Sequence, residues 1–355
     1  MKITCSNCFK VYNIPDEKLP KKDSIAFNCP ACSNKIKIQL KTGSSGEKPL
    51  NKESSSNNKK RVVFSPVSDK DPSRLFGDDL KKKIIQTLDN LPPMPKIVDK
   101  SRQIMADPKS GFKEIANIIE TDQAIAARVL KMANSAYYGL SGMVSSIHQA
   151  TVVLGYSALE ELITMVAASS LLGSRLKGYG MSAGVLWKHS LAAAFAAKII
   201  AGKRMPTLEN DAFSVGLIHD SGKLALDKYI LMRKEQMNQY MRENKQSFLD
   251  AEQAVLGVDH AQISGELCRK WKLPEKHALA MQYHHNPSAL KENDLACIIH
   301  IADYIAFQCD LDSFIDAALY QPDEKAMEKL QFDENDLLAL VKEVGETLEQ
   351  VTQAI

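Results

Sequence analysis

From about residue 76 to its end, the chain repeats apolar residues at spacings of three and four, and nowhere alternates them with polar residues at the period of a strand. A body built only from such segments can bury its apolar stripes in one way, helix against helix. Roughly a dozen segments carry the pattern. They include "DLKKKIIQTLDN", "PKIVDKSRQIMAD", "GFKEIANIIETD", "QAIAARVLKMANSA" and "SSIHQATVVLGYSALEELITMVAASSLLG". A second group begins near "AGVLWKHSLAAAFAAKIIAGK" and runs through "NDAFSVGLIHDSGKLALDKYI", "PEKHALAMQYHHN" and "LACIIHIADYIAFQC" to "DENDLLALVKEVGETLEQVTQAI". The expected fold class is therefore all-α over 76–355. It has an N-terminal half over 76–180, a second half over 181–310 and C-terminal helices over 311–355.

The N-terminal region reads differently. Residues 41–75 are rich in Ser, Asn, Lys and Gly and hold too few large apolar residues for a core, so a flexible linker is expected there. Residues 1–40 hold "CSNC" at 5–8 and "CPAC" at 29–32. Two thiolates two residues apart grip one metal from a tight turn, and a second such turn completes tetrahedral sulfur coordination, which suits zinc. Cys5, Cys8, Cys29 and Cys32 are the expected ligands of a structural zinc. The segment between them is too short and polar to fold alone, so the metal would supply the folding energy. Lys10, Lys35 and Lys37 would allow contact with nucleic acid, but aromatic interleaving is sparse and nucleic acid is not the favoured partner.

The bulk numbers exclude little. A net charge of +2 gives no large electrostatic footprint for nucleic acid or membrane. No long uncharged apolar run and no signal-peptide core appear, so the expected location is the cytoplasm, with no membrane. Cys268, Cys297 and Cys309 sit in helical apolar contexts and are expected to be small core residues.

Chemistry concentrates in the second half. Seven of the eight histidines lie after residue 185. His189, His219, Asp220, His260, His284, His285 and Asp303 all fall in or beside expected helices, and facing helices of a bundle are a usual place for a metal site. Imidazole with carboxylate suits Fe, Mn, Zn or Mg. A His-Asp doublet on a helix sets its two ligands about 100° apart around the axis, so Asp220 can bridge two neighbouring metal positions. Lys223, one turn on, shares the face of Asp220. It suits either a phosphate oxygen or an ion pair with Asp220. His277 and His300 read as helix-face residues and His148 as a helix-start residue. In the first half, Asn134, Ser135, Tyr137, Tyr138, Arg128 and Lys131 read as packing and capping, or as a surface for a partner.

These residues carry a resemblance. The stretch from "LPPMPKIVDK" through "LKMANSAYYG" to "LGYSALEELI" resembles the first half of an HDOD domain. "VLWKHS", "VGLIHDSGKLAL", "DHAQISGELCRKWKLPEKHALAMQYHHNP" and "HIADYIA" are similar to its HD-like second half. The first forty residues resemble the small zinc ribbons, with short strands, that open some bacterial proteins. The resemblance implies a helical domain related to the HD-GYP phosphodiesterases, and a family regarded as regulatory. It places His189, His219, Asp220, His260, His284, His285 and Asp303 as ligands and Lys223 as the lysine that follows the doublet. After "HH" the chain reads "NPSALKEND", without the Gly-rich GYP segment, and "MSAGVLWKHS" carries no acid. The implied function is a bacterial signal-transduction scaffold that binds regulatory protein partners. The alternative is a metal-dependent phosphohydrolase of cyclic-dinucleotide or other phosphodiester bonds, with Asp220 and Lys223 at its chemistry.

Overall fold

In a computed structural model the chain divides into two units, Met1–Asp69 and Lys70–Ile355. The structure describes residues 2–4, 11–13, 24–28, 35–39, 75, 77–91, 96–106, 110–244, 247–291, 293–309 and 320–352.

The first unit holds two antiparallel hairpins. Strand β1 (Lys2–Thr4) pairs with β2 (Val11–Asn13), Ile3 opposite Tyr12. Strand β3 (Ser24–Asn28) pairs with β4 (Lys35–Gln39), Ala26 opposite Lys37. In sequence, each Cys pair falls in the connection of one hairpin. The four cysteines themselves, and residues 41–74 of the expected linker, lie outside the described residues.

The second unit is helical. Its first half comprises α1 (Gly77–Thr87), α2 (Lys96–Ala106), α3 (Phe112–Glu120), α4 (Gln123–Ala133) and α5 (Ile147–Leu172). The second comprises α6 (Val185–Arg204), α7 (Glu209–Ile218), α8 (Gly222–Met232), α9 (Lys234–Asn244), α10 (Phe248–Leu256), α11 (His260–Lys270), α12 (Glu275–Gln282) and α13 (Asp294–Cys309). Then α14 (Glu324–Leu330), which its apolar pattern is too short to announce, and α15 (Glu334–Thr352) close the chain.

Local chemistry sets the helix ends. Asp122 accepts from the backbone N–H of Ala124 and Ile125 to cap α4. Ser247 and Asp250 form a capping box on α10, which ends at Gly257 in the left-handed region. Asn134 donates to the Leu130 and Val144 carbonyls and accepts from Val144 N–H, so it pins its loop, which is the packing role.

Helices α6 and α13 are buried along most of their length and form the centre, with α7 against both. The small residues of "LAAAFAA" allow this. A Cβ on Gly216 of α7 would lie 2.9 Å from the Ala193 carbonyl oxygen and 2.9 Å from the Ala194 Cα. Only a glycine lets α7 lie that close, and His219 follows it by three residues.

Two expected helices are not continuous. The run "NDAFSVGLIHDSGKLALDKYI" breaks into α7 and α8, with His219, Asp220 and Ser221 in a turn closed by Ser221 N–H to Ile218 O and Lys223 N–H to Asp220 O. The break frees the doublet from a helical cylinder. Helix α5 is interrupted at Gly155 (φ 75°, ψ 177°). It is the one described helix long and apolar enough to cross a membrane, but it packs against α2, α3, α4 and α7 like a core helix.

Candidate metal centre

The seven expected ligands come from five places: α6 (His189), the α7–α8 turn (His219, Asp220), the first residue of α11 (His260), the turn after α12 (His284, His285) and α13 (Asp303). The fold brings them together in two adjoining groups. One holds His189, His219, Asp220 and Asp303, the other His260, His284 and His285, and within each group the ligand atoms lie within 4.8 Å of one another.

Asp220 joins the groups. Its Oδ2 lies 3.5 Å from His189 Nε2 and 3.6 Å from His219 Nε2. Its Oδ1 lies 3.2 Å from His260 Nε2 and 3.9 Å from His284 Nε2. One carboxylate thus offers one oxygen to each group, as the bridging role requires. Asp303 Oδ1 sits 2.9 Å from His189 Nε2 and 3.2 Å from His219 Nε2, and its Oδ2 is 3.8 Å from His285 Nδ1. Lys223 Nζ donates to Asp220 Oδ2 at 2.5 Å, so of the two roles open to it the ion pair is formed.

The rings are turned for ligation. His219 Nδ1 donates to Gly216 O (2.7 Å), His284 Nδ1 to Met281 O (2.6 Å) and His260 Nδ1 to Glu252 Oε2 (2.8 Å). In each case an outward acceptor holds the Nδ1 proton and turns Nε2 inward; for His260 that Nε2 meets Asp220 Oδ1 (3.2 Å) and His285 Nε2 (2.9 Å). Glu252 is fully buried. Its Oε2 also accepts the His260 backbone N–H (2.7 Å), and its Oε1 accepts the Tyr179 hydroxyl (2.6 Å). Both residues were missed in the sequence, because a lone Glu in an amphipathic helix and a Tyr in a loop carry no ligand spacing.

Charge is divided unevenly. Burial alone would raise Asp220, but Lys223 and His219 hold it well below the usual carboxylate range. Burial would raise Asp303 too, yet the bonds from His189 and His219 hold it low. Burial works against a charged His260, but the Glu252 carboxylate outweighs it and raises His260 to about 10. Burial, with His219 beside it, pushes His284 down to about 3. His285 is lowered by burial and by His284.

The donor set fits a metal pair. His284 Nε2 and His285 Nδ1 are buried and make no hydrogen bond within the described residues. Buried ring nitrogens left without bonds cost free energy, which a cation would remove. His189, His219, Asp220 and Asp303 would hold one ion, and Asp220, His260, His284 and His285 its neighbour.

The remaining histidines stand apart. His277 bonds Asp211 (2.7 Å) and lines a separate cavity with Trp271 and Asn210. His300 is buried on α13 and donates from Nδ1 to His284 O (2.7 Å), which steadies the turn that carries the His pair. His148 is exposed in the first turn of α5. Cys268 and Cys297 are buried and Cys309 half-buried, as core residues.

Comparison with known proteins places this geometry. Residues 91–287 match the family model of the HDOD domain, and residues 1–37 match that of a zinc-ribbon domain. An uncharacterized protein of Treponema pallidum is 24% identical over 215 residues, which are 60% of this chain and 41% of that protein. The chain thus spans about two-fifths of that relative's length. An HDOD domain protein of unknown function from Geobacter sulfurreducens is 26% identical with a TM-score of 0.64, covering 78% of this chain and 97% of that one. A protein from Shewanella amazonensis, named a candidate phosphohydrolase, is 23% identical with a TM-score of 0.59, over 77% of this chain and 98% of its own. Another from Marinobacter aquaeolei, named a candidate signal transduction protein, is 21% identical with a TM-score of 0.60, over 78% and 64%. The last two show a shared fold.

Proposed function

From the premise that this chain belongs to the HDOD domain family, we propose that it is a cytoplasmic bacterial signalling scaffold whose helical body is built around a buried metal pair and presents its outer surface to regulatory protein partners. The observation that carries this reading is the closure of the centre. His189, His219, Asp220, His284 and Asp303 are at most 1% exposed, so a phosphodiester has no access to them. A metal here has a structural task. It neutralises two buried carboxylates and ties α6, α11 and α13 together. The donor set of imidazole and carboxylate favours Fe, Mn or Mg, while Cys5, Cys8, Cys29 and Cys32 are the expected thiolate ligands of a zinc. The zinc ribbon is an accessory contact, for protein before nucleic acid.

One observation favours the alternative, a metal-dependent phosphohydrolase: Asp220 presents one oxygen to each ligand group, the arrangement a two-metal hydrolase needs. Bound metal would supply an activated water. Lys223, released from Asp220, would neutralise phosphate charge.

Metal analysis of the purified full chain, with turnover assays on a cyclic dinucleotide and on bis(p-nitrophenyl) phosphate in added Mn or Fe, separates the two. The expected result is zinc that is lost in Cys5→Ser, a second metal lost in Asp220→Asn, and no turnover above the metal-free control. Rapid hydrolysis that disappears in Asp220→Asn would overturn the scaffold reading.

A further inference from the structure

One side of the centre is sealed by a residue from outside the ligand set. Among the ligands His285 is the most exposed, with 13% of its side chain accessible. Tyr320 stands edge-on to it, ring centroids 5.3 Å apart and planes at 87°. The same ring packs on Phe307 (5.2 Å) and on His300 (5.5 Å), both from α13. Its hydroxyl lies 3.1 Å from His300 Nδ1 and also faces Asp303.

The residues that follow hold Tyr320 in place. Asp323 donates its backbone N–H to His300 Nε2 (2.8 Å). Its carboxylate accepts from Ser288 Oγ with both oxygens at 2.8 Å, and from Ala326 N–H at 2.9 Å to cap α14. His300 in turn bonds the carbonyl of His284. The strap 320–323 is therefore fastened to the turn that carries the His pair and to α13, which carries Asp303.

We propose that Tyr320 is the residue that determines access to the metal centre: its ring shuts the mouth beside His285 and Asp303 against phosphate and phosphate esters. This rests on the metal reading above. The ring does the blocking, since it covers His285, while the hydroxyl only fastens it. Removing the ring uncovers His285 and Asp303 and leaves all seven ligands in the chain.

The test uses the full chain loaded with Mn(II) and inorganic phosphate as the probe. Mn(II) broadens the 31P resonance of a phosphate that reaches within bonding range, so the readout is access and not turnover. The wild type is expected to leave the phosphate line unchanged beyond the effect of free metal. Tyr320→Ala, folded by circular dichroism and carrying the same Mn(II), is expected to bind phosphate with at least about tenfold higher affinity. Tyr320→Phe keeps the ring and is expected to stay closed. Asp323→Ala loosens the strap with Tyr320 intact and is expected to open the site in part, which keeps the test decisive should Tyr320→Ala not fold. A Tyr320→Ala protein that takes up Mn(II) but broadens phosphate no more than wild type overturns the access role alone. A chain that takes up no Mn(II) with Asp220 intact overturns both this and the metal reading.

Discussion

The glycine between Asp220 and Lys223 offers the sharpest quantitative test of the centre's construction. A Cβ on Gly222 would lie 2.1 Å from the His260 carbonyl oxygen, 2.7 Å from Ser264 N and 2.8 Å from Ser264 Oγ. Ordinary contact needs about 3.5 Å, so Gly222→Ala forces the start of α11 to retreat from α8 by about 1 Å or more. Overpacking of this kind costs about 1–3 kcal/mol. The bond from Gly222 N–H to Ser264 Oγ (2.8 Å) would be lost as well, at about 1 kcal/mol. Better helix propensity returns about 0.5–1 kcal/mol. The net expectation is a loss of about 1–3.5 kcal/mol, or a Tm lower by roughly 2–14 °C. Because His260 opens α11, the retreat also draws its Nε2 away from Asp220 and weakens metal binding by about tenfold or more. Thermal unfolding by circular dichroism and calorimetric Mn(II) titration measure both. Gly345→Ala in α15 is the control: its Cβ meets nothing within 4 Å, and it should stabilise by about 0.5–1 kcal/mol. If Gly222→Ala melted with the wild type and bound Mn(II) equally, the close approach of α8 to α11 would not be what sets the Asp220–His260 distance.

Two further outcomes follow from the charge distribution. Glu252→Gln keeps the shape behind His260 but removes the charge that raises it, so the His260 resonance of the metal-free chain should titrate well below its present value of about 10, and metal affinity should fall; an unmoved titration would mean that Glu252 does not control the ring. The metal-free chain should be most stable near neutrality. His284, depressed from 6.5 to about 3, contributes stability above pH 6.5 that drains away as pH falls towards 3. His260, raised from 6.5 to about 10, contributes below pH 6.5 and is lost as pH rises through 10. Urea unfolding from acid to alkaline pH should trace that dome, and a monotonic curve would contradict it.

Much of this was legible in the sequence because helix packing and ligand type both leave local marks. The all-α body follows from apolar spacing, and the ligands stand out because His and Asp are expensive in apolar runs. The α7–α8 break was not legible. "LIHDSGKLAL" has continuous helical periodicity, and the turn arises from the contacts that Gly216 and Gly222 make with α6 and α11, far away in sequence. Glu252 and Tyr179 were hidden for the same reason, their bond joining residues 73 positions apart. Tyr320 carried no signal, since a tyrosine ahead of a short helix has no pattern to betray the histidine it covers.

His189 and Asp303 meet across 114 positions of chain. During synthesis the ligands emerge in order: Asp220, His260, His284 and His285 are all made before α13, whereas the group of His189, His219, Asp220 and Asp303 cannot close until α13 is made. A truncated product ending before Asp303 would retain the ligands of one candidate ion position and lack one ligand of the other. Occupancy of the position that needs Asp303 would therefore mark a chain made at least through that residue, whatever follows it.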